Sequence, residues 1–375
     1  PDLFLGLLAG NILAVLSWAF LCAPIAVMTR LTLYWQLRKI CGPYLTVIYS
    51  IVNALMFCFL AGAMISVAAT AVGLPFNMPM PMLSDRYPTS VSWVVVVFLV
   101  GAAVTSLAIM CFEQLSNFSR VWSPWMFLVF VAAGLAVLPD LGWTSVADFW
   151  RVANEKIWTG IPLAGQSKFT FWHIMFFAWF CNMAMHIGMA DLSIFRYARK
   201  WQYGFASAFG MYLGHFTAWI ASGILCAAAA GSVAPGPIAY MGAGVATPDW
   251  KRWKVTLAAG AVTTLAACFP ALVMRLLDFV ALYGLILMPM GAVIFADIWI
   301  LPRLGLRRNF AEWSGSLWNW SAAFAWLVTL TVAFILPVEI FFKGFPGWFI
   351  AVLVYSVLSW FEQKTRQKQP VTAEV

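Results

Sequence analysis

The stretch from Phe171 to Lys200, FWHIMFFAWFCNMAMHIGMADLSIFRYARK, sets polar side chains inside an apolar run long enough to cross a bilayer. Trp179, Asn182 and His186 recur at i, i+3 and i+7, so a single helix would carry them as one stripe, a stacking surface beside hydrogen-bonding groups. At membrane depth such groups are costly unless protein or water surrounds them. They therefore mark a binding site, or else bonds between helices and, for Trp179, core packing. A histidine there either changes charge near neutral pH and can couple protons to a cycle, or stays neutral and offers both a donor and an acceptor. Gly188 supplies a permissive backbone position just before Asp191. Asp191 lies toward the inner interface, where an ion pair with Arg196 or Arg199 is its plainer role.

Other polar residues in apolar runs read more simply. His215, without nearby acidic partners, suits hydrogen bonds between helices, and Asn11 either bridges helices in that way or faces the binding cavity. Asp297 falls at the cytoplasmic end of its run, where water would solvate it. His173 falls at the outer interface.

Those residues need a membrane around them, and the composition supplies one. The 375 residues are 63% apolar and only 10% charged, with mean hydropathy +0.88, which marks an all-α polytopic membrane protein. Its net charge of +8 sits between apolar runs and forms no stripe interleaved with aromatics, which argues against nucleic acid. The seven cysteines show neither metal-ligand nor thioredoxin-like spacing. Many of the 21 tryptophans fall at the ends of apolar runs, as an interfacial belt requires.

About ten stretches are long enough to span: 3–28, 43–73, 91–112, 119–137, 171–193, 203–230, 254–274, 277–300, 319–341 and 345–361. The segments 30–42, 75–88, 139–168 and 301–316 read as loops. If the first span ends inside, the basic residues obey the positive-inside rule as far as Lys200. Beyond that, the basic residues at 251–254, 303–308 and 364–368 would lie outside unless the chain crosses once more within 231–250. That segment, GSVAPGPIAYMGAGVATPDW, holds too many Pro and Gly for an ordinary span, so a re-entrant piece or a deletion is expected there, the plainer reading being an external loop that tolerates its basic residues.

Phe279, Tyr283, Gly284, Leu287, Pro289, Val293, Ala296 and Asp297 in LDFVALYGLILMPMGAVIFADIWILPR resemble the tenth helix of the nucleobase-cation symporter family, the cytosine, purine, allantoin and hydantoin permeases. Ala190-Asp191-Leu192-Ser193 followed by Arg196-Tyr197-Ala198 is similar to the end of the family's sixth helix, with Ile194 and Phe195 inserted. Gly10-Asn11 and Gly42-Pro43-Tyr44 are fainter likenesses of helices two and three.

The resemblance implies a LeuT-like transporter fold of five-plus-five inverted repeats, with substrate and cation bound midway through the membrane. Over 1–375 it implies one transmembrane domain: 3–137 as the remnant of the first repeat, 171–300 as the second, and 319–361 as two added helices. Helix one and most of helix eight would be missing, and the cation site with them. The family sandwiches a flat heterocycle between aromatics of helices three and six. Those positions fall here on Phe57 and Asn182, with Trp179 one turn earlier and the usual glutamine replaced by Ala61. Asn53, one turn before Phe57, would face the same cavity. The substrate-binding set is thus Phe57, Trp179, Asn182, His186 and Asn53, although Phe57 also suits plain packing.

The function expected is cation-coupled uptake of a small nucleobase-like heterocycle across the cell membrane, the cytoplasmic membrane of a bacterium. The 171–200 helix would rock against helices near 43–73 and 203–230, with Gly188, Gly284 and Pro289 as flexure points. No cofactor is expected beyond Na+ or H+ as coupling ion, and the partners are the small-molecule substrate and the lipid bilayer. The other reading is a membrane receptor or subunit that binds a ligand or partner without transporting it. Rings of like charge that would suit a channel are absent. No phosphate loop, H-E-x-x-H, G-x-S-x-G or catalytic carboxylate pair occurs, which argues against an enzyme.

Overall fold

The computed structural model describes residues 2–82, 85–162, 168–230, 252–271 and 276–368. Among them every regular element is helical. Seven helices are long and apolar enough to cross a membrane: Asp2–Thr29, Pro43–Gly73, Val91–Ile109, Glu113–Leu141, Tyr203–Ala228, Phe279–Leu304 and Ile340–Arg366. Three of the ten expected spans instead hold shorter apolar helices, Phe171–Phe180, Thr256–Ala267 and Trp320–Ile335. The first is interrupted, and the other two stop just before Pro270 and Pro337, which cannot donate the next helical hydrogen bond. The extra crossing expected within 231–250 lies outside the described residues.

In the order of the chain the helices are α1 (Asp2–Ser17), running through a π-helical turn (Trp18–Cys22) into α2 (Ala23–Thr29), then α3 (Leu33–Cys41), α4 (Pro43–Gly73), α5 (Val91–Ile109), α6 (Cys111–Val137) and the short α7 (Phe149–Val152). After these come α8 (Phe171–Phe180), single turns α9 (Met183–His186) and α10 (Leu192–Phe195), α11 (Tyr203–Ala230) and α12 (Arg252–Ala267). The last four are α13 (Leu276–Phe295), α14 (Phe310–Ser314), α15 (Trp320–Ile335) and α16 (Gly344–Lys368).

The chain divides into two compact units, one of residues 1–7, 52–171 and 213–280, the other of residues 8–51, 172–212 and 281–375. In the first, α5 and α12 pack through small residues. Gly101 lies against the Thr264 side chain and Gly260 against that of Thr105, so a methyl group at either glycine would strike a β-branched neighbour. Membrane helices, which gain little from the hydrophobic effect against lipid, associate through such close approach. Trp93 is buried beside Ile65, Ala69, Val97 and Ala267, and its indole N–H donates to Thr70 Oγ1 at 3.2 Å.

The second unit has its core where Phe180, Met183, Leu285, Met288 and Trp348 meet. The segment 30–42, expected as a loop, contains the amphipathic helix α3. Thr32 caps it by accepting from the Trp35 N–H, and Leu33, Leu37, Ile40 and Cys41 form its buried face. The spacing of those four residues is helical, but the charges of Arg38 and Lys39 hide it from a reading by hydropathy.

Asp297 corrects another expectation: it is 0% exposed rather than solvated. One carboxylate oxygen accepts from the Tyr355 hydroxyl at 2.9 Å, the other from the Asn309 backbone N–H at 2.9 Å. Asn309, at φ +56°, turns the following loop so that Gln36 and Glu312 meet its side chain, at 3.3 and 3.0 Å. Lys39 pairs with Glu312 at 2.7 Å, and Gln363 exchanges two hydrogen bonds of 2.9 Å with the Arg307 backbone. The loop after α13 is thereby tied to α3 and α16.

Candidate functional site

Within the second unit, the stretch carrying the expected stripe is not one helix. Helix α8 ends at Phe180, α9 is a single turn, and the chain loops through Met189 at φ +65° before α10. The positive φ falls on Met189, not on the neighbouring Gly188. Backbone groups that a continuous helix would pair are satisfied by wide turns: Gly188 N–H to Met183 O at 2.8 Å, Ala190 N–H to Ala184 O at 3.5 Å and Asp191 N–H to Met185 O at 3.2 Å. Irregular backbone at membrane depth is tolerated where protein encloses it. Here α13 does so. A methyl group at Gly291 would collide with the Ile187 carbonyl oxygen and the Gly188 backbone, so two main chains touch at that point.

The first span has its own irregularity facing this segment. Its π-helical turn packs on α9, and the Trp18 ring meets Phe195 edge-on at 4.7 Å. Such turns recur at functional sites because they leave the helical ladder locally unmade.

The break sends the three stripe residues to different partners. Trp179, 3% exposed, donates its indole N–H to Ser17 Oγ at 3.1 Å and packs its ring on Phe345 at 4.9 Å. Asn182 turns back on its own helix, donating to Ala178 O at 3.2 Å, and is half-buried. His186, also 3% exposed, sets Nδ1 3.1 Å from Asp191 Oδ2. Its Nε2 is buried with no hydrogen-bond partner. The trio therefore lies inside the unit, but no longer as one stripe.

Asp191 bonds His186 and neither of the arginines expected to pair with it. Arg196 spends its guanidinium on Ser193 O at 3.3 Å and on the Tyr197 hydroxyl at 2.5 Å. Arg30, from the end of α2, reaches the carbonyls of Arg196, Ala198 and Arg199. Tyr283 of α13 and Cys22 of the π-helical turn also lie within electrostatic reach of Asp191. The wide turns place Asp191 back beside His186, five residues earlier, a return that reading the stretch as one helix hides.

Phe57 and Asn53 belong to the first unit. Phe57 is buried, and the Asn53 Oδ1 is buried without a hydrogen-bond partner. Among the described residues no three His, Cys, Asp or Glu side chains gather closely enough to hold a metal ion.

No family model and no curated protein matches the sequence. A solved structure does match the fold: Mhp1, a nucleobase-cation-symport-1 family transporter, in a closed conformation with bromovinylhydantoin bound. The TM-score is 0.59 at 14% identity, over 97% of this chain and 86% of that one. The fold is Mhp1-like. That likeness and the apolar helices make the chain a multi-pass helical membrane protein. At such low identity Mhp1 speaks for the fold, and the chemistry must come from this chain's residues.

Proposed function

We propose that the chain is a secondary active transporter of the cell membrane, taking up a small planar nitrogenous heterocycle with Na+ or H+ by alternating access between five-plus-five inverted repeats. The observation that carries this reading is the interrupted α8–α10 stretch, which holds a buried polar pair amid apolar helices. Lipid penalises unwound backbone and buried polar groups, so a chain that keeps both has a use for them. The Mhp1-like fold supports the same reading, since Mhp1 was solved with a hydantoin bound. Trp179, Asn182 and His186 supply the substrate contacts on this stretch.

The test is uptake by the purified chain in proteoliposomes, with radiolabelled hydantoin, uracil, cytosine and allantoin offered under imposed sodium or pH gradients. Saturable uptake of at least one ring, competed by its unlabelled form, is the expected result. Binding of a ring without flux would point to the receptor reading, and indifference to the whole panel would remove heterocycles as the cargo.

A further inference from the structure

The His186–Asp191 pair fixes what its ligand must offer. A carboxylate oxygen only accepts, so in the neutral ring the 3.1 Å contact with Asp191 Oδ2 places the single imidazole proton on Nδ1. That leaves Nε2 as a bare lone pair. It is buried and unpartnered, and an acceptor left so is destabilising. In an ordinary core, packing or a backbone donor removes such a debt. Here the neighbouring backbone N–H groups of Gly188, Ala190 and Asp191 are already spent on the wide turns.

We propose that His186 Nε2 is the acceptor that selects a ligand carrying a ring N–H, with Asp191 as the positioning residue that holds the imidazole in the accepting tautomer. This rests on the transporter reading for its cargo, yet it makes a claim about this pair alone. The ligand class is a ring whose nitrogen is unsubstituted and carries the donated proton. Rings that present only carbonyl oxygens would meet lone pair with lone pair and be rejected. A site built to bond an N–H discriminates strongly against analogues that lack it, because the buried acceptor is then left unpaired.

The test has a ligand-free arm and a binding arm. In the first, 15N NMR of histidine-labelled protein in nanodiscs, assigned by a His186→Gln variant, is expected to show Nδ1 protonated and Nε2 bare at neutral pH. An Nε2–H tautomer overturns the proposal whether or not the chain transports anything. In the second, calorimetric binding of hydantoin and uracil is compared with that of 1,3-dimethylhydantoin and 1,3-dimethyluracil. The expected loss on methylation is tenfold or more for wild type, little in His186→Leu, and reduced in Asp191→Asn, where the ring can turn its other nitrogen to the carboxamide. Wild type needs no substitution to fold, so equal binding of the methylated and unmethylated rings, or no binding of any of the four, overturns the proposal. Ring-N–H selectivity without flux leaves it standing while the transporter reading fails.

Discussion

Asp297 shows how a single residue can be misread from sequence. Its place at the end of an apolar run suggests easy hydration, yet both oxygens accept hydrogen bonds inside the protein. Removing the carboxylate leaves the Tyr355 hydroxyl and the Asn309 N–H buried without a partner. Asp297→Ala is therefore expected to cost about 1–3 kcal/mol, read as a lower melting temperature in detergent, and Asp297→Asn should cost less. Asp148 gives a surface counterpart. Hydrogen bonding by Arg151, then by Thr144 and the Thr144 and Ser145 backbone N–H groups, holds its carboxyl well below the usual carboxylate range. A lowered value in the folded chain means that the turn's support is complete above the ordinary carboxylate value, about 4, and fades only as pH falls through the lower folded value. A nitroxide at position 146 should keep constant mobility from pH 7 to 5 and loosen only in strong acid. In Asp148→Asn it should be mobile throughout. Polar residue types in apolar runs were legible from the sequence, as His186 and Asn182 show. Their partners were not, because a helical wheel assumes the continuity that the turn at Met189 breaks.

At the scale of elements, the interrupted stretch is held open by a backbone-to-backbone approach that only Gly291 permits. Gly291→Ala would push α13 off the Ile187 carbonyl, and overpacking of that kind typically costs about 1–3 kcal/mol. The expected outcome is a lowered melting temperature together with weakened ligand binding, whereas alanine at Gly210, which lies within α11 with open space around it, should leave binding unchanged. A Gly291→Ala protein with wild-type stability and binding would show that the segment does not depend on this contact. Hydropathy made the long helices legible because each contains an apolar window long enough to span. It missed α3, whose buried face covers only half of a charged helix, and it merged α8, α9 and α10, because a broken helix keeps the composition of an intact one.

For the whole molecule, composition alone places the chain in a membrane, and the residues around Tyr283 and Pro289 suggest the family whose fold Mhp1 shares with this chain. What the fold does with that architecture is decided by flux against a gradient, which neither a receptor nor a structural subunit produces. The direct measurement is accumulation of a labelled heterocycle inside proteoliposomes, with sodium and proton gradients imposed separately. The account requires the internal concentration to exceed the external one under one of the two gradients, and to collapse to equality when an ionophore dissipates it. A panel of rings that only equilibrates, or never enters, with the purified chain correctly folded and inserted, would contradict it.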